Sequence, residues 1–140
     1  MKGNDRDRAI IERMIKYYDD ISLLMKQYGG NFQRYIEDIS FQYSCGMCLI
    51  QIGELAGRIS EDTAKSAPDI AWRAIKAMRN VHTHDYGNID YTVVWDTLKN
   101  DIPVLKRRLT CIRYNQRIQI QSHGENFTWT KTTTIISGGQ

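Results

Sequence analysis

Proline is almost absent. The 140 residues hold two, Pro68 and Pro103, and so sparse a supply of helix breakers favours long helices. Long apolar runs are missing too: none approaches the roughly 18 residues of a membrane span. The opening MKGNDRDRAI lacks the apolar stretch of a signal peptide. A cytoplasmic chain without membrane contact is therefore expected. Cysteine is scarce and odd in number, at three, which argues against a disulfide framework. Nor is there a strong charge of one sign. The net charge is +3, a weak statement about partners. What remains is 41% hydrophobic and 25% charged, the composition of one globular domain with one core rather than of a disordered chain.

The apolar residues fall at helical spacing. Ile11, Met14, Tyr18, Ile21, Met25 and Tyr28 step by three and four, and Gly29-Gly30 ends that helix. A short NFQRYIED segment follows, with Asn31 as its cap. Phe41, Cys45, Cys48, Leu49, Ile52, Leu55, Ala56 and Ile59 make a second stripe. Ser60, followed by Glu61 and Asp62, opens a short turn. Pro68-Asp69 is expected to start a helix through Trp72, Ile75 and Met78, broken at Gly87-Asn88. Asp90 caps the last long helix. There Tyr91, Trp95, Leu98, Ile102, Leu105, Leu109 and Ile112 alternate steps of four and three, the seam of a closely packed helix pair. Pro103 lies inside it and predicts a kink or a lost hydrogen bond. The fold class is all-α: an up-and-down bundle of four to five helices over residues 1–115. Residues 116–140 read differently. Ile118 and Ile120 alternate, His123-Gly124 makes a turn, and a threonine-rich run follows, so this tail is expected to be irregular or β-like.

Three features could carry chemistry. From Lys99 to Arg117 there are six basic residues against the single acid Asp101. This is either a phosphate-holding surface or a solvated helix face. Cys45-Gly-Met-Cys48 has C-x-x-C spacing, but no second ligand pair lies nearby and both cysteines fall on the apolar stripe, so they read as core. The third is RNVHTHDYGNID, residues 79–90, which gathers Arg79, Asn80, His82, His84, Asp85 and Tyr86 at a helix end. His82 and His84 point about 200° apart on a helix and cannot chelate one ion there. Arg79 and His84 lie about 140° apart. For them to cooperate, the helix must bend or end near Thr83, or a second protomer must supply the partner group. Histidine moves protons near neutral pH, and arginine grips phosphate. Together they suit metal-free cleavage of RNA, in which the 2′-hydroxyl attacks the adjacent phosphate.

Arg79-Asn80-(x3)-His84-Asp85-Tyr86 fits an R-x4-H-x-Y pattern, and in this the chain resembles the HepT-like toxins of the HEPN superfamily. The resemblance continues in IQIGELAGRIS, with Gly53-Glu54, in APDIAWRAIKAMRN, and in YGNIDYTVVWDTLKNDIPVLKRRL, with Pro103. It spans roughly residues 8 to 114. It implies a helical bundle that dimerises, with two motifs facing each other across a composite cleft, and an endoribonuclease toxin needing neither cofactor nor metal. Arg79 and His84 would then be the catalytic pair, with Asn80 in support. Tyr86 would be the residue that an MntA-type nucleotidyltransferase antitoxin modifies with AMP, with a larger toxin–antitoxin complex as one form of that partnership; the added charge and bulk would repel RNA. His82, Asp85 and Glu54 are possible cleft residues; Glu54 could equally orient the motif. A different reading is a non-catalytic HEPN module that binds a nucleotidyltransferase and presents a nucleotide or substrate.

Overall fold

A computed structural model describes residues 2–122, with side chains over residues 5–115. The architecture is all-α. Helix α1 (Lys2–Gln27) ends where Gly29 and Gly30 adopt φ of 84° and 61°, left-handed values that a side chain would strain. Helix α2 (Phe32–Glu37) starts under Asn31, whose side chain accepts from the Arg34 N–H. Helix α3 (Ile39–Ala56) is capped by Asp38. Helix α4 (Glu61–Ser66) is capped by Ser60, whose hydroxyl accepts from the Thr63 N–H. Then come α5 (Trp72–His84), a 3₁₀ turn (Tyr86–Asn88), α6 (Tyr91–Asp96) and α7 (Ile102–Ser122).

Helix α3 is the centre of the bundle, packed between α1 and α5, while α7 closes on α1. The stripes meet as the sequence predicts. Ile11, Met14, Phe41, Cys45, Leu49, Ile52, Leu55, Trp95, Leu98, Ile102 and Leu109 are all buried, so the four-three seam of the last helix belongs to the chain's own core. Tyr35 of α2 is the unforeseen member. It is 1% exposed and lies among Phe41, Tyr91 and Trp95, with ring centroids 5.3, 5.9 and 5.2 Å away. Asp7 is also buried, where it accepts from Ser60 and Thr63 and ties α1 to the start of α4.

Two expectations change. Helix α5 starts at Trp72, not at Pro68-Asp69. Pro68 and Asp69 stand in a turn, where Asp69 accepts from Arg108 of α7 instead of capping. The lost hydrogen bond expected at Pro103 appears as a change of bonding register in the turn before it. The turn Thr97–Asp101 widens to π geometry, and the Ile102 N–H reaches back five residues to the Thr97 carbonyl. This extra residue lets the rod from Tyr91 continue past a residue that cannot donate. The second change is at the tail. The backbone stays helical to Ser122, so Ile118 and Ile120 are not on a strand and the 115/116 boundary falls inside α7. The rest of the predicted β-like tail, from His123 on, lies outside the described residues. The basic run is partly consumed by structure: Lys106 pairs with Asp19 and lies over the Tyr18 ring, and Arg108 pairs with Asp69. No helix among the described residues is long and apolar enough to cross a membrane.

Candidate functional site

The contact between α3 and α5 is unusually close because it is built on glycine. A Cβ placed on Gly53 would lie 2.2 Å from the Arg79 Cβ and 3.1 Å from the Ile75 carbonyl oxygen. One step further along, a Cβ on Gly46 would lie 3.3 Å from the His82 ring. Only bare backbone lets α5 lie this near, and the approach sets what Arg79 can reach.

Arg79 reaches Glu54. Its Nε donates to Glu54 Oε1 at 2.6 Å, and Nη2 donates to the same oxygen. Nη1 donates to Asn80 Oδ1 at 2.6 Å. Both Arg79 and Glu54 remain about a third exposed, at 31% and 36%. The guanidinium is therefore held from two sides and still open to solvent, a state in which it could meet an anion. Glu54 thus has a definite contact, which orients the motif arginine. Thr83 donates its hydroxyl to the Arg79 carbonyl at 3.0 Å, within the helix.

The two histidines separate. His82 is buried at 6% exposure, its ring against Gly46 and its Nδ1 2.8 Å from the Met78 carbonyl oxygen. It belongs to the α3–α5 contact rather than to an open cleft. His84 is exposed on the final turn and makes no hydrogen bond or ion pair among the described residues. The helix runs from Trp72 to His84 and ends there, one residue past Thr83, with His84 still in the helical stretch and Asp85 off it. Arg79 and His84 consequently stay about 140° apart around the axis and about 7.5 Å apart along it. One chain does not bring them to a common face. Asp85 is exposed and accepts from Asn88 Nδ2 at 2.6 Å, closing the turn that carries Tyr86.

Tyr86 is 41% exposed, with its ring 5.7 Å from that of Tyr43 on α3. Its phenol is pushed above the ordinary tyrosine range, first by desolvation and then by the neighbouring Tyr91 and Tyr43 hydroxyls. It is a neutral, reachable hydroxyl. Sequence reasoning placed Tyr91 on the seam and passed over Tyr43, and nothing in their spacing to Tyr86 reveals the contact. Cys45 and Cys48 are buried free thiols, raised by burial to about 12 and about 11. Among the described residues, no group of three or more His, Cys, Asp or Glu side chains is placed to hold a metal ion.

Beside Arg79 an open groove of about 260 Å³ runs between the end of α3 and α5, lined by Gly53, Glu54, Gly57, Arg58, Lys76, Arg79 and Asn80. Sequence reasoning did not single out Arg58 or Lys76. The available signal was the helical spacing of Lys76, Arg79, Asn80 and Thr83, which puts a basic and polar stripe on one face.

A protein of Methanocaldococcus jannaschii named as a candidate RNase is 30% identical over 100 residues, covering 71% of this chain and 81% of that protein. A protein of Thermococcus cleftensis named "Probable ribonuclease HepT" is 34% identical over 82 residues, covering 59% of this chain and 74% of that one. A candidate RNase of Caldanaerobacter subterraneus is 23% identical over 87 residues, covering 62% and 78%. No solved structure matches the chain significantly. The "Ribonuclease HepT-like" family model matches residues 11–112, from Ile11 of α1 to Ile112 of α7; with so much of the chain inside that span, it belongs to the HepT-like family.

Proposed function

We propose that this chain is a toxin of a toxin–antitoxin pair, a metal-independent endoribonuclease whose active cleft is shared between two copies. The observation that carries the composite cleft is the unbroken course of α5 to His84. With Arg79 held against Glu54 on one face and His84 free on another, a complete Arg–His pair needs a second chain. An exposed apolar stripe on α3, Ile39, Tyr43 and Met47 at steps of four, flanks Tyr86 and supports a partner surface there.

In the proposed reaction the RNA 2′-oxygen attacks the adjacent phosphorus, and the bond to the 5′-oxygen breaks. His84 moves the proton, and Arg79, oriented by Glu54 and Asn80, stabilises the charge on the phosphoryl oxygens. The products are a 2′,3′-cyclic phosphate and a 5′-hydroxyl. Each group contributes roughly two to four orders of magnitude in rate. DNA lacks the 2′-hydroxyl and is not cut. Tyr86, on the turn directly after His84, is the site of AMP attachment by an MntA-type nucleotidyltransferase antitoxin. Its neutral phenol leaves the deprotonation to that enzyme.

The test is cleavage of a total RNA pool in EDTA by wild type, Arg79→Ala, His84→Ala, and a mixed dimer of the two variants. Each variant alone is expected to be inactive. The mixed dimer is expected to regain up to about half the wild-type rate, because one of its two clefts holds an intact Arg79 and an intact His84. If both variants alone cut as wild type does, the catalytic reading fails, and the non-catalytic module that binds a nucleotidyltransferase takes its place. If both are dead and mixing restores nothing, the pair acts within one chain. The mass of the Tyr86 peptide, with or without an added AMP, checks the silencing step.

A further inference from the structure

The groove beside Arg79 extends away from His84, toward two cations that the reaction above does not use. Lys76 lies one helical turn before Arg79 and Asn80 on α5, about 12 Å along the axis from His84. Arg58 lies just past the end of α3, in the turn where its N–H bonds to the Leu55 carbonyl. Both line the same groove as Arg79, and both are exposed. Elsewhere in the fold Lys106 pairs with Asp19, Arg108 with Asp69, Lys16 with Asp20 and Lys65 with Glu61. Arg58 and Lys76 form no ion pair among the described residues. The sole acid of the groove, Glu54, is taken by Arg79. Two positive charges without an ion-pair partner among the described residues therefore line the same concave surface as Gly53 and Gly57.

We propose that Arg58 and Lys76 form a backbone subsite that holds an RNA phosphate next to the one being cleaved. This rests on the ribonuclease reading above and deepens it. A strand whose reacting phosphate sits at Arg79 must leave the cleft in some direction, and the groove offers the path with a positive lining. Contacts of this kind fix register and carry no base information. The subsite therefore favours oligonucleotides over dinucleotides without selecting a sequence.

The test uses full-length protein and a six-nucleotide RNA with 2′-O-methyl groups, which binds but cannot react. Affinity is measured by fluorescence anisotropy across a salt series for wild type and Arg58→Gln/Lys76→Gln. The double variant is expected to bind roughly ten- to thirtyfold more weakly at 0.1 M salt, with a log–log salt slope smaller by about 1.4, the loss of two single-strand phosphate contacts. The charge-keeping exchange Arg58→Lys/Lys76→Arg is expected to recover most of the binding, and the deficit is expected to shrink as the oligonucleotide is shortened to two nucleotides. Equal affinity and slope in wild type and double variant would overturn the subsite while leaving cleavage by Arg79 and His84 untouched. A deficit that is the same at every length would overturn it as well, in favour of general charge attraction. If wild type neither binds nor cuts any RNA, the ribonuclease reading itself has failed and the subsite goes with it.

Discussion

His82 and His84 are two residues apart on one helix, yet the fold treats them oppositely. The inner face of α5, with Ile75, Met78 and His82, is pressed against α3, and its close contact rests on Gly46 and Gly53. The outer end, with His84, Asp85 and Tyr86, is exposed and sparsely held. A helix spends the first kind of surface on stability and frees the second for solvent, substrate or a modifying enzyme. Arg79 stands at the border, anchored through Glu54 but still open.

The largest expected effect comes from swapping the roles of the two histidines. His84→Gln should cut RNA cleavage by roughly two to four orders of magnitude and leave the thermal midpoint unchanged, because that side chain is exposed and forms no hydrogen bond or ion pair among the described residues. His82→Ala should do the reverse. It empties a site beside Gly46 and deletes a buried hydrogen-bonding ring, at a cost of about 1–3 kcal/mol, seen as a drop of several degrees in the melt. Its remaining folded fraction should still cut. Melting curves and initial rates on the same preparations check both. Similar stability losses for both variants would break the comparison.

The border is tested by Gly53→Ala. A methyl group 2.2 Å from the Arg79 Cβ cannot be accommodated without moving α5. Overpacking should cost about 1–3 kcal/mol, against a helix-propensity gain of at most about 1 kcal/mol. Cleavage should fall as well, because the guanidinium shifts relative to Glu54 while every catalytic side chain is still present. Gly46→Ala should be milder, since its Cβ would meet only the edge of a ring at 3.3 Å. A Gly53→Ala protein with the wild-type melt and rate would show that the close contact does not position Arg79.

Much of this was legible before any coordinates. The three-four stripes located the core, and the caps Asn31, Ser60 and Asp90 mark true helix starts, because each places an acceptor where the first N–H groups need one. What stayed hidden depends on contacts between distant segments. Tyr35 lies in a six-residue helix too short to show a stripe, and Asp7 looks like any surface acid until Ser60 and Thr63 are seen to fold onto it. Pro68-Asp69 has the pattern of a helix start, but Asp69 is drawn to Arg108, 39 residues away. The ion pair between Arg79 and Glu54 joins two helices across 25 residues, and only the bare backbone at Gly53 explains how they come so close.

The smallest effect extends the comparison to α3, where Cys45 and Cys48 belong to the packed class and Cys111 of α7 is half-buried. At pH 8 a thiol reagent should label Cys111 first and the other two only as fast as the protein opens. Burial raises Cys45 to about 12 and Cys48 to about 11, from an ordinary 9.0. The folded state therefore keeps protons that the unfolded chain releases. Their contribution is fully present below pH 9 and is lost as pH rises toward 11 and 12, at no more than about 1.4 kcal/mol per pH unit for each thiol. Cys48→Ala should flatten the alkaline fall in stability while lowering stability slightly at pH 7, where only packing is lost. Denaturant midpoints between pH 8 and pH 10.5 check the sign. A variant that loses stability in parallel with wild type over that range would mean that the Cys48 thiol is not held neutral by the core, and that the inner surface of α3 is more open than its packing against α1 and α5 implies.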